Sequence, residues 1–470
     1  MGHHFDVISP IDGSTVLSVQ KATPGEIETT LEQAQAALNS WRNTTVAMRV
    51  KIIEGFVEHL EGRQVEIAQS ITECMGRPSR WAGGEVNGTA ERARHMASIA
   101  EDCLSDIHPE PTPGFERFIR REALGVVLVL SPWNYPYLTA VNAVVPALLA
   151  GNTVILKHSD QTPLAAEHFR EAFEAAGLPK GVFQVLHIDH DATARVLTDD
   201  RIDHVSFTGS VAGGMAVNRA LSGRRGRKRF IGSGMELGGN DPAYVRADAN
   251  IAHAAANVME GALFNSGQSC CGVERIYVHQ TIAGDFIEAA FAEASAYVLD
   301  DPRLSTTTLG PVVRQRNADG IRAQVAAAIQ AGAVPLIGSE GWDRDQPGTP
   351  YIRPQLLVNV DHGMNLMSEE TFGPCVGIMS VRDDAHAVEL MNDSAYGLTA
   401  SIWTPDKDAA LNMGKELQTG TVFLNRCDYL DPALAWTGVK NSGRGVTLSR
   451  LGFDHLTRPK SYHFRTEING

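Results

Sequence analysis

A regular alternation of apolar strands and helices, beginning near residue 125, constrains the fold more than any other feature of the sequence. The short segments Gly125–Leu130, Thr153–Lys157, Val182–Ile188 and His204–Phe207 are mostly apolar, and helical patterns separate them, the first of these near residues 141–150. Strands that are apolar on both faces are typical of a parallel sheet covered by helices on two sides. The alternation therefore predicts a doubly wound α/β fold, which binds ligands at the carboxyl ends of its strands.

The flanking segments predict further structure around this sheet. Residues 24–104 are expected to be helical, because Ile27, Leu31, Ala34 and Leu38 follow the spacing of one buried helix face. A second strand–helix series begins after residue 239, with strands expected near residues 275–278 and 375–381. Phe115–Glu122 alternates like an exposed strand, and a late strand is expected near the end of the chain. The basic run 224–229 is expected to be a solvated turn.

Composition and charge exclude several classes of protein. The 470 residues carry a formal net charge of −14, which argues against nucleic acid or an anionic membrane as the main partner. The charge-free run 123–156 is interrupted by Pro132, Pro136 and Pro146, so no membrane span is predicted. Six scattered cysteines and no visible secretory signal favour a reducing compartment, and a cytoplasmic location is expected. No metal site is predicted.

Three side chains stand in settings that suit catalysis. Cys270 follows Asn-Ser-Gly-Gln-Ser, where the backbone can turn sharply and present a nucleophilic thiol. Glu236 precedes Leu-Gly-Gly and can act as a general base. Asn134 follows the first strand of the sheet, where its amide can stabilise an oxyanion. Each residue also has a plain structural interpretation: a buried cysteine, a capping acid or a turn asparagine.

A possible phosphate site lies at residues 207–210. The sequence Phe-Thr-Gly-Ser ends a strand and opens a helix, and free N–H groups at a helix start bind phosphate. The spacing differs from G-x-G-x-x-G, so the common dinucleotide fingerprint is absent.

Taken together, these motifs resemble those of the aldehyde dehydrogenase superfamily. The similarity extends over nearly the whole chain, and the motifs occur in order. They are SPWNYP at 131–136, GNTVILKHSD at 151–160, FTGS at 207–210, ELGGND at 236–241, GQSC at 267–270, EETFGP at 369–374 and GVKNSGRG at 438–445.

The resemblance implies an NAD-dependent enzyme, with NADP possible, that oxidises an aldehyde to the carboxylic acid through a cysteine thiohemiacetal and thioester. Cys270 would be the nucleophile, Glu236 the general base and Asn134 part of the oxyanion hole. Asp160 would favour NAD by repelling a 2′-phosphate. The residues implied to bind the cofactor are Ser131, Trp133, Lys157, Asp160, Gly209, Ser210, Leu237, Glu370 and Phe372.

The substrate tunnel is where the sequence departs from the family pattern. Asn142 stands where succinate semialdehyde dehydrogenases often carry Arg, which weighs against that substrate. Ala143 and Thr447 replace a Lys and a Glu linked to proton transfer in many members. The residues expected to line the tunnel are Tyr135, Leu138, Asn142, Phe264, Cys271, Asp428 and Trp436. They suggest a medium-sized aldehyde.

Two other functions remain open from the sequence. A CoA-acylating dehydrogenase would transfer the acyl group to a thiol, although Glu236 favours water as the acceptor. A catalytically idle relative with a binding or structural role is the second alternative, although an intact Cys270, Glu236 and Asn134 argue against it.

The resemblance also implies three parts and self-association. The dinucleotide-binding domain would comprise residues 1–107 and 124–238, and the α/β catalytic domain residues 239–441. A small β oligomerisation arm would comprise residues 108–123 and 442–470. Unpaired strands in this arm predict a homodimer or homotetramer as the partner state.

Overall fold

A computed structural model describes residues 4–468 of the chain. Its amino-terminal part is an antiparallel hairpin followed by helices, of which α2 and α5 pack on each other within the largest hydrophobic core. The first helix begins with a capping box between Thr23 and Glu26. The elements are β1 (His4–Ile8), β2 (Thr15–Gln20), α1 (Pro24–Trp41), α2 (Val46–Gly62), α3 (Gln64–Met75), α4 (Ser79–Ala82) and α5 (Gly84–Cys103).

The predicted doubly wound sheet is present and has six strands. The order of its strands is β16-β8-β7-β4-β5-β6, and all neighbours are parallel except β16 and β8. After β3 (Phe115–Ala123), the elements are β4 (Val126–Ser131), α6 (Pro136–Leu149), β5 (Thr153–His158), α7 (Pro163–Ala175), β6 (Phe183–Val185), α8 (His190–Thr198), β7 (Ile202–Thr208), α9 (Val211–Ser222) and β8 (Gly232–Glu236).

The central strands are buried on both faces, which confirms the reasoning from their apolar runs. Val127, Val129 and Val154 pack into one core with the helices of one face. Leu128 and Ile155 pack into another core on the opposite face. The strand ends of β4, β7 and β8 therefore meet at one edge of the sheet, where Asn134, Ser210 and Glu236 follow or close them.

The second strand–helix series forms a seven-stranded sheet with the order β11-β12-β13-β10-β9-β14-β15. Only β11 runs antiparallel to its neighbour. The elements are β9 (Asp241–Val245), α10 (Ile251–Leu263), β10 (Val273–His279), α11 (Ala283–Ser295), α12 (Gln315–Gln330), β11 (Val334–Pro335), β12 (Gln355–Val358), α13 (Asn365–Ser368), β13 (Cys375–Val381), α14 (Asp384–Asn392), β14 (Thr399–Trp403), α15 (Lys407–Gly414) and β15 (Thr421–Leu424).

The chain ends in a two-stranded ribbon. After β16 (Gly443–Arg444) and a 3₁₀ helix at Arg450–Leu456, β17 (Thr457–Arg465) pairs antiparallel with β3 along its whole length. The predicted arm segment 442–470 thus contributes β16 to the six-stranded sheet before it reaches the ribbon. The division into domains stays a prediction, and its ends at residues 1–3 and 469–470 lie outside the described residues.

Three local expectations differ from the structure. Helix α6 begins at Pro136 rather than near residue 141, because the Glu85 carboxylate accepts the N–H groups of Tyr137 and Leu138 at its start. Strand β6 is shorter than predicted, since the carbonyl of His187 accepts the N–H of Ala22 instead of extending the ladder.

The basic run 224–229 is not entirely solvated. Arg224 is buried, and its guanidinium donates to the carbonyls of Leu197, Asp199 and Lys228. The turn is therefore fixed to the main body by one buried arginine. No helix among residues 4–468 is long and apolar enough to cross a membrane.

Candidate active site

Cys270 lies at the end of a tight loop between α10 and β10. Asn265, Ser266 and Gly267 have φ values of 54°, 56° and 68°, a left-handed run that non-glycine residues rarely adopt. A Cβ at residue 267 would lie 2.0 Å from the carbonyl oxygen of Gly373, so only glycine fits there. The loop residues before Cys270 are buried, whereas Cys270 itself is partly exposed. The loop therefore turns this thiol toward a cavity.

Asn134 is joined directly to the Cys270 loop. Its side-chain Nδ2 donates to the carbonyl of Gln268 at 3.2 Å. In return, its own carbonyl accepts from Asn265 Nδ2 at 3.1 Å and from Arg77 Nη2 at 2.5 Å. These bonds hold the Asn134 amide beside the nucleophile loop, with one amide hydrogen still free to donate.

A buried ion pair contacts both Asn134 and the Cys270 loop. Arg77 pairs with Glu85 of α5, and Arg77 Nε also donates to Asn265 Oδ1 at 2.9 Å. Glu85 in turn caps the start of α6 through the N–H of Tyr137. One network therefore fixes both the loop after β4 and the loop before Cys270. Arg77, in the loop after α3, and Glu85 were not predicted from the sequence, because no local pattern distinguishes them from solvated charged residues.

Glu236 closes β8 and is held by two hydroxyl groups. Thr447 Oγ1 donates to its Oε1 at 2.5 Å, and Thr208 Oγ1 donates to its Oε2 at 3.3 Å. Burial raises the pKa of Glu236, and the hydrogen bonds and the nearby Arg92 charge oppose this rise in part. A carboxylate with a raised pKa suits a general base. Thr447, noted as a departure from the family pattern, thus contacts the candidate base directly.

A cavity of about 430 Å³ brings the candidate reacting groups together. Both Cys270 and Glu236 open onto it, and so do Arg92 and Thr208, which the sequence analysis did not single out. The volume is in the range of small-molecule sites. All the residues that the sequence suggested for the tunnel line this cavity: Tyr135, Leu138, Asn142, Phe264, Cys271, Asp428 and Trp436.

The neighbouring thiols differ in their surroundings. Cys271 is buried, and its Sγ donates to Asp428 Oδ1 at 3.0 Å. The adjacent Cys270 side chain, burial and the Asp428 carboxylate raise the pKa of the Cys271 thiol well above its usual value. Because the thiolate is the nucleophilic form, this environment favours Cys270 over Cys271.

Contacts also join several of the residues that the resemblance assigns to the cofactor. Trp133 and Phe372 contact edge to face, with ring centroids 5.6 Å apart. Glu370 Oε1 accepts the N–H of Gly239 at 3.0 Å, and a Cβ at Gly238 would lie 2.3 Å from that carboxylate. Burial raises the pKa of Glu370 to about 8. A partly buried carboxyl group of this kind is suited to hydrogen-bond a diol such as a ribose.

The other candidate cofactor residues follow the ends of the parallel strands. Lys157 is partly buried at the end of β5, and burial lowers the pKa of its amine. Asp160 lies nearby, and its carboxylate accepts from Arg314 Nη2 at 3.2 Å. Ser210 caps α9 by accepting the N–H of Gly213 at 3.1 Å. The remaining members are Ser131 at the end of β4, Gly209 after β7 and Leu237 after β8.

Comparisons with known proteins agree with this geometry. The model of the aldehyde dehydrogenase family matches residues 1–462. The chain belongs to the aldehyde dehydrogenase family. It is therefore an oxidoreductase that converts an aldehyde to the carboxylic acid with NAD or NADP, as the resemblance implied.

Individual members of the family resemble the chain along almost its full length. The succinate semialdehyde dehydrogenase Sad of Escherichia coli K12, named for NAD(P)⁺, is 35% identical over 96% of this chain and 95% of its own. An aldehyde dehydrogenase of Paenarthrobacter nicotinovorans is 33% identical over 97% of this chain and 98% of its own. The structure of a succinic semialdehyde dehydrogenase from Streptococcus pyogenes with NADP⁺ superposes with a TM-score of 0.92 at 26% identity, covering 98% of this chain and 100% of that one.

Proposed function

We propose that this chain oxidises its aldehyde by a hydrolytic route in which Cys270 is the nucleophile, Asn134 stabilises the oxyanion and Glu236 activates water. One observation carries the proposal: the partly exposed side chains of Cys270 and Glu236 share one cavity, while Asn134 is bonded to the Cys270 loop. Nucleophile, oxyanion donor and base within one site are the requirements of acyl-transfer chemistry.

The steps follow from the positions of these groups. The Cys270 thiolate attacks the aldehyde carbon, and Asn134 Nδ2 and the Cys270 N–H stabilise the oxyanion of the thiohemiacetal. A bound nicotinamide dinucleotide would supply the hydride acceptor, and loss of the hydride from the thiohemiacetal would leave a thioester on Cys270. Glu236 then removes a proton from a water molecule that attacks the thioester. The acid leaves, and the Cys270 thiolate is restored.

For the cofactor, we propose that Lys157 and Glu370 bind the two riboses, Ser210 the pyrophosphate, and Phe372 and Trp133 the region of the nicotinamide. Ser131, Gly209 and Leu237 would contribute backbone and packing contacts. Burial disfavours the charged form of Asp160, yet the neighbouring Arg314 and Lys157 hold the pKa of Asp160 below its usual range. A charged Asp160 favours NAD over NADP.

A turnover assay tests the proposed function. The purified chain would be assayed with butanal, benzaldehyde and succinate semialdehyde, each with NAD and with NADP, and with and without CoA. We expect reduced cofactor and free acid without CoA, with the higher kcat/KM for NAD. A strict need for CoA would favour the acyl-transfer alternative. Absence of cofactor reduction with every aldehyde would favour the idle relative.

The substrate class is less constrained by the similarities. Names of several relatives point to succinate semialdehyde, whereas Asn142 stands where such enzymes often carry Arg. We propose that the substrate is an aliphatic or aromatic aldehyde that fits a cavity of about 430 Å³.

Replacing Asn134 by alanine should lower kcat by about 10²- to 10³-fold, because one oxyanion donor is lost. The Kd for NAD should change little, since Asn134 faces the nucleophile loop. Steady-state kinetics and a cofactor titration check both values. Asn257→Ala is the matched control, because this asparagine lines the same cavity but bonds within α10. Near-normal turnover of the Asn134 variant would contradict the assigned role.

We further propose that the chain forms a homodimer or homotetramer in the cytoplasm. The ribbon of β3 and β17 supports self-association, because the outer edge of β17 is unpaired within the described residues, whereas that of β3 is bridged to Ile107 at Ile119. Phe118 stacks on Tyr462 across the two strands, and Phe464 packs edge to face against both rings. A mass measurement in solution should show an even number of chains. A monomer at micromolar concentration would contradict this.

A further inference from the structure

One buried arginine of the cavity wall lacks an anionic partner. Arg92 of α5 is only 9% exposed, and no carboxylate among residues 4–468 lies within ion-pair distance of it. Its Nη1 donates to the carbonyl of Leu138 at 3.0 Å and to Asn142 Oδ1 at 3.2 Å. Removing a charge from water without a counter-charge is costly, so the position calls for a negatively charged group.

The free part of the guanidinium opens onto the substrate cavity. Nε and Nη2 of Arg92 have no acceptor within the described chain, and neither is among the side-chain nitrogens that the protein encloses completely. Arg92 lines the same cavity as Cys270 and Glu236. Two donors of a planar fork are therefore available to one ligand, which is the geometry that binds a carboxylate bidentately.

Other buried arginines of this chain show that the situation of Arg92 is unusual. Arg77 is paired with Glu85. Arg224 lies 3.8 Å from the Asp200 carboxylate, and Arg49 and Arg275 have no carboxylate within ion-pair distance among residues 4–468. Several nitrogens of each donate to carbonyl or hydroxyl oxygens. The fold itself therefore supplies hydrogen-bond acceptors for each of these three guanidinium groups. Arg92 uses one nitrogen to anchor itself and leaves two toward the cavity.

We propose that Arg92 binds a carboxylate group of the substrate, so that the preferred substrate is an aldehyde that carries an acid at its other end. This inference rests on the proposed function and names the substrate class for the same site. The amide oxygen of Asn142 orients the guanidinium. The positive charge at the tunnel is therefore that of Arg92 on α5, whereas residue 142 on α6 is a neutral asparagine.

A different role for Arg92 would be to tune the base. Its charge acts on Glu236, but the Glu236 oxygens accept from Thr447 and Thr208, and Arg92 makes no direct bond to them. The two roles predict different kinetics. Loss of a substrate contact affects only acidic aldehydes, whereas loss of a contribution to the base affects every aldehyde equally.

The test compares an acidic aldehyde with a neutral one of the same length. Arg92→Leu, Arg92→Lys and wild type would be assayed with succinate semialdehyde and with butanal. We expect wild type to prefer succinate semialdehyde. Arg92→Leu should raise KM for this aldehyde by about 10- to 100-fold, the effect of losing charge-assisted hydrogen bonds. The KM of Arg92→Lys for succinate semialdehyde should lie between those of wild type and Arg92→Leu. kcat/KM for butanal should fall by much less than kcat/KM for succinate semialdehyde in both variants, because butanal has no carboxylate to bind.

Arg94→Leu is the matched control, because Arg94 lies on the same helix but pairs with Glu61 at the surface. Arg94→Leu should leave KM and kcat unchanged for both substrates. Equal losses for butanal and succinate semialdehyde in Arg92→Leu would overturn the proposal, as would a wild type without preference for the acidic aldehyde. Retained butanal oxidation shows that the variant is folded.

A binding measurement separates this inference from the proposed function. Titration calorimetry with succinate, in the presence of NAD, should show saturable binding to wild type and to Arg94→Leu, and loss of binding to Arg92→Leu. If no aldehyde is oxidised but succinate binds through Arg92, the proposed function fails and the anion site stands. If aldehydes are oxidised but succinate binds equally to wild type and Arg92→Leu, the anion site fails alone.

Discussion

Cys270→Ala should abolish aldehyde oxidation, with kcat reduced by at least about 10⁴-fold, because no thioester can form without the nucleophile. The adjacent Cys271→Ala provides a matched control within the same loop. Cys271 is buried and donates to Asp428, so its removal should leave kcat within about tenfold of wild type. The measurement is steady-state production of reduced cofactor.

Mass spectrometry after brief incubation with aldehyde and NAD provides a second readout. An acyl adduct should appear on wild type and on Cys271→Ala, and not on Cys270→Ala. The reverse pattern, with activity lost only in the Cys271 variant, would assign the nucleophile to the neighbouring residue.

Glu236→Gln should separate acylation from hydrolysis. Steady-state turnover should fall by about 10²- to 10⁴-fold, the usual contribution of a general base. The first turnover should survive, because the thiohemiacetal and hydride transfer need only Cys270 and Asn134. Rapid mixing with NAD should therefore show a burst of about one reduced cofactor per chain, followed by a slow phase.

Glu91→Gln is the control for this variant, because Glu91 lines the same cavity from an exposed position. It should retain wild-type turnover. The pH profile offers a further check. Burial raises the pKa of Glu236, and only its deprotonated form accepts a proton, so hydrolysis should rise as pH passes upward through this raised pKa. Glu236→Gln should lose this rise, and a complete loss of the burst would contradict the assignment.

Most of the fold was accessible from the sequence because its strongest signals are local. Apolar runs such as residues 126–131 and 375–381 identified strands that are buried in the structure. The first and last residues of helices and strands were harder to predict, since they depend on contacts with residues distant in the chain. Helix α6 starts at Pro136 because Glu85, on another helix, caps it.

The candidate site shows the same division between local and distant information. Motif spacing pointed to Cys270, Glu236 and Asn134, and the structure places the first two on one cavity with the third bonded to the nucleophile loop. Their roles stay proposals. Sequence reasoning did not find Arg92, because an arginine on a polar helix resembles any solvated surface residue.

The sequence by itself determined the fold class and indicated the candidate reacting side chains, because strand periodicity and glycine-rich turns depend on residues that are neighbours in the chain. Only the tertiary structure decided which charges are paired. Arg92 and Asn142 are 50 residues apart, and Thr447 and Glu236 are 211 apart. The packing of α5 on α6 and of β16 on β8 brings these pairs together. Whether a buried charge finds its partner inside the protein or in a ligand therefore depends on contacts between distant elements.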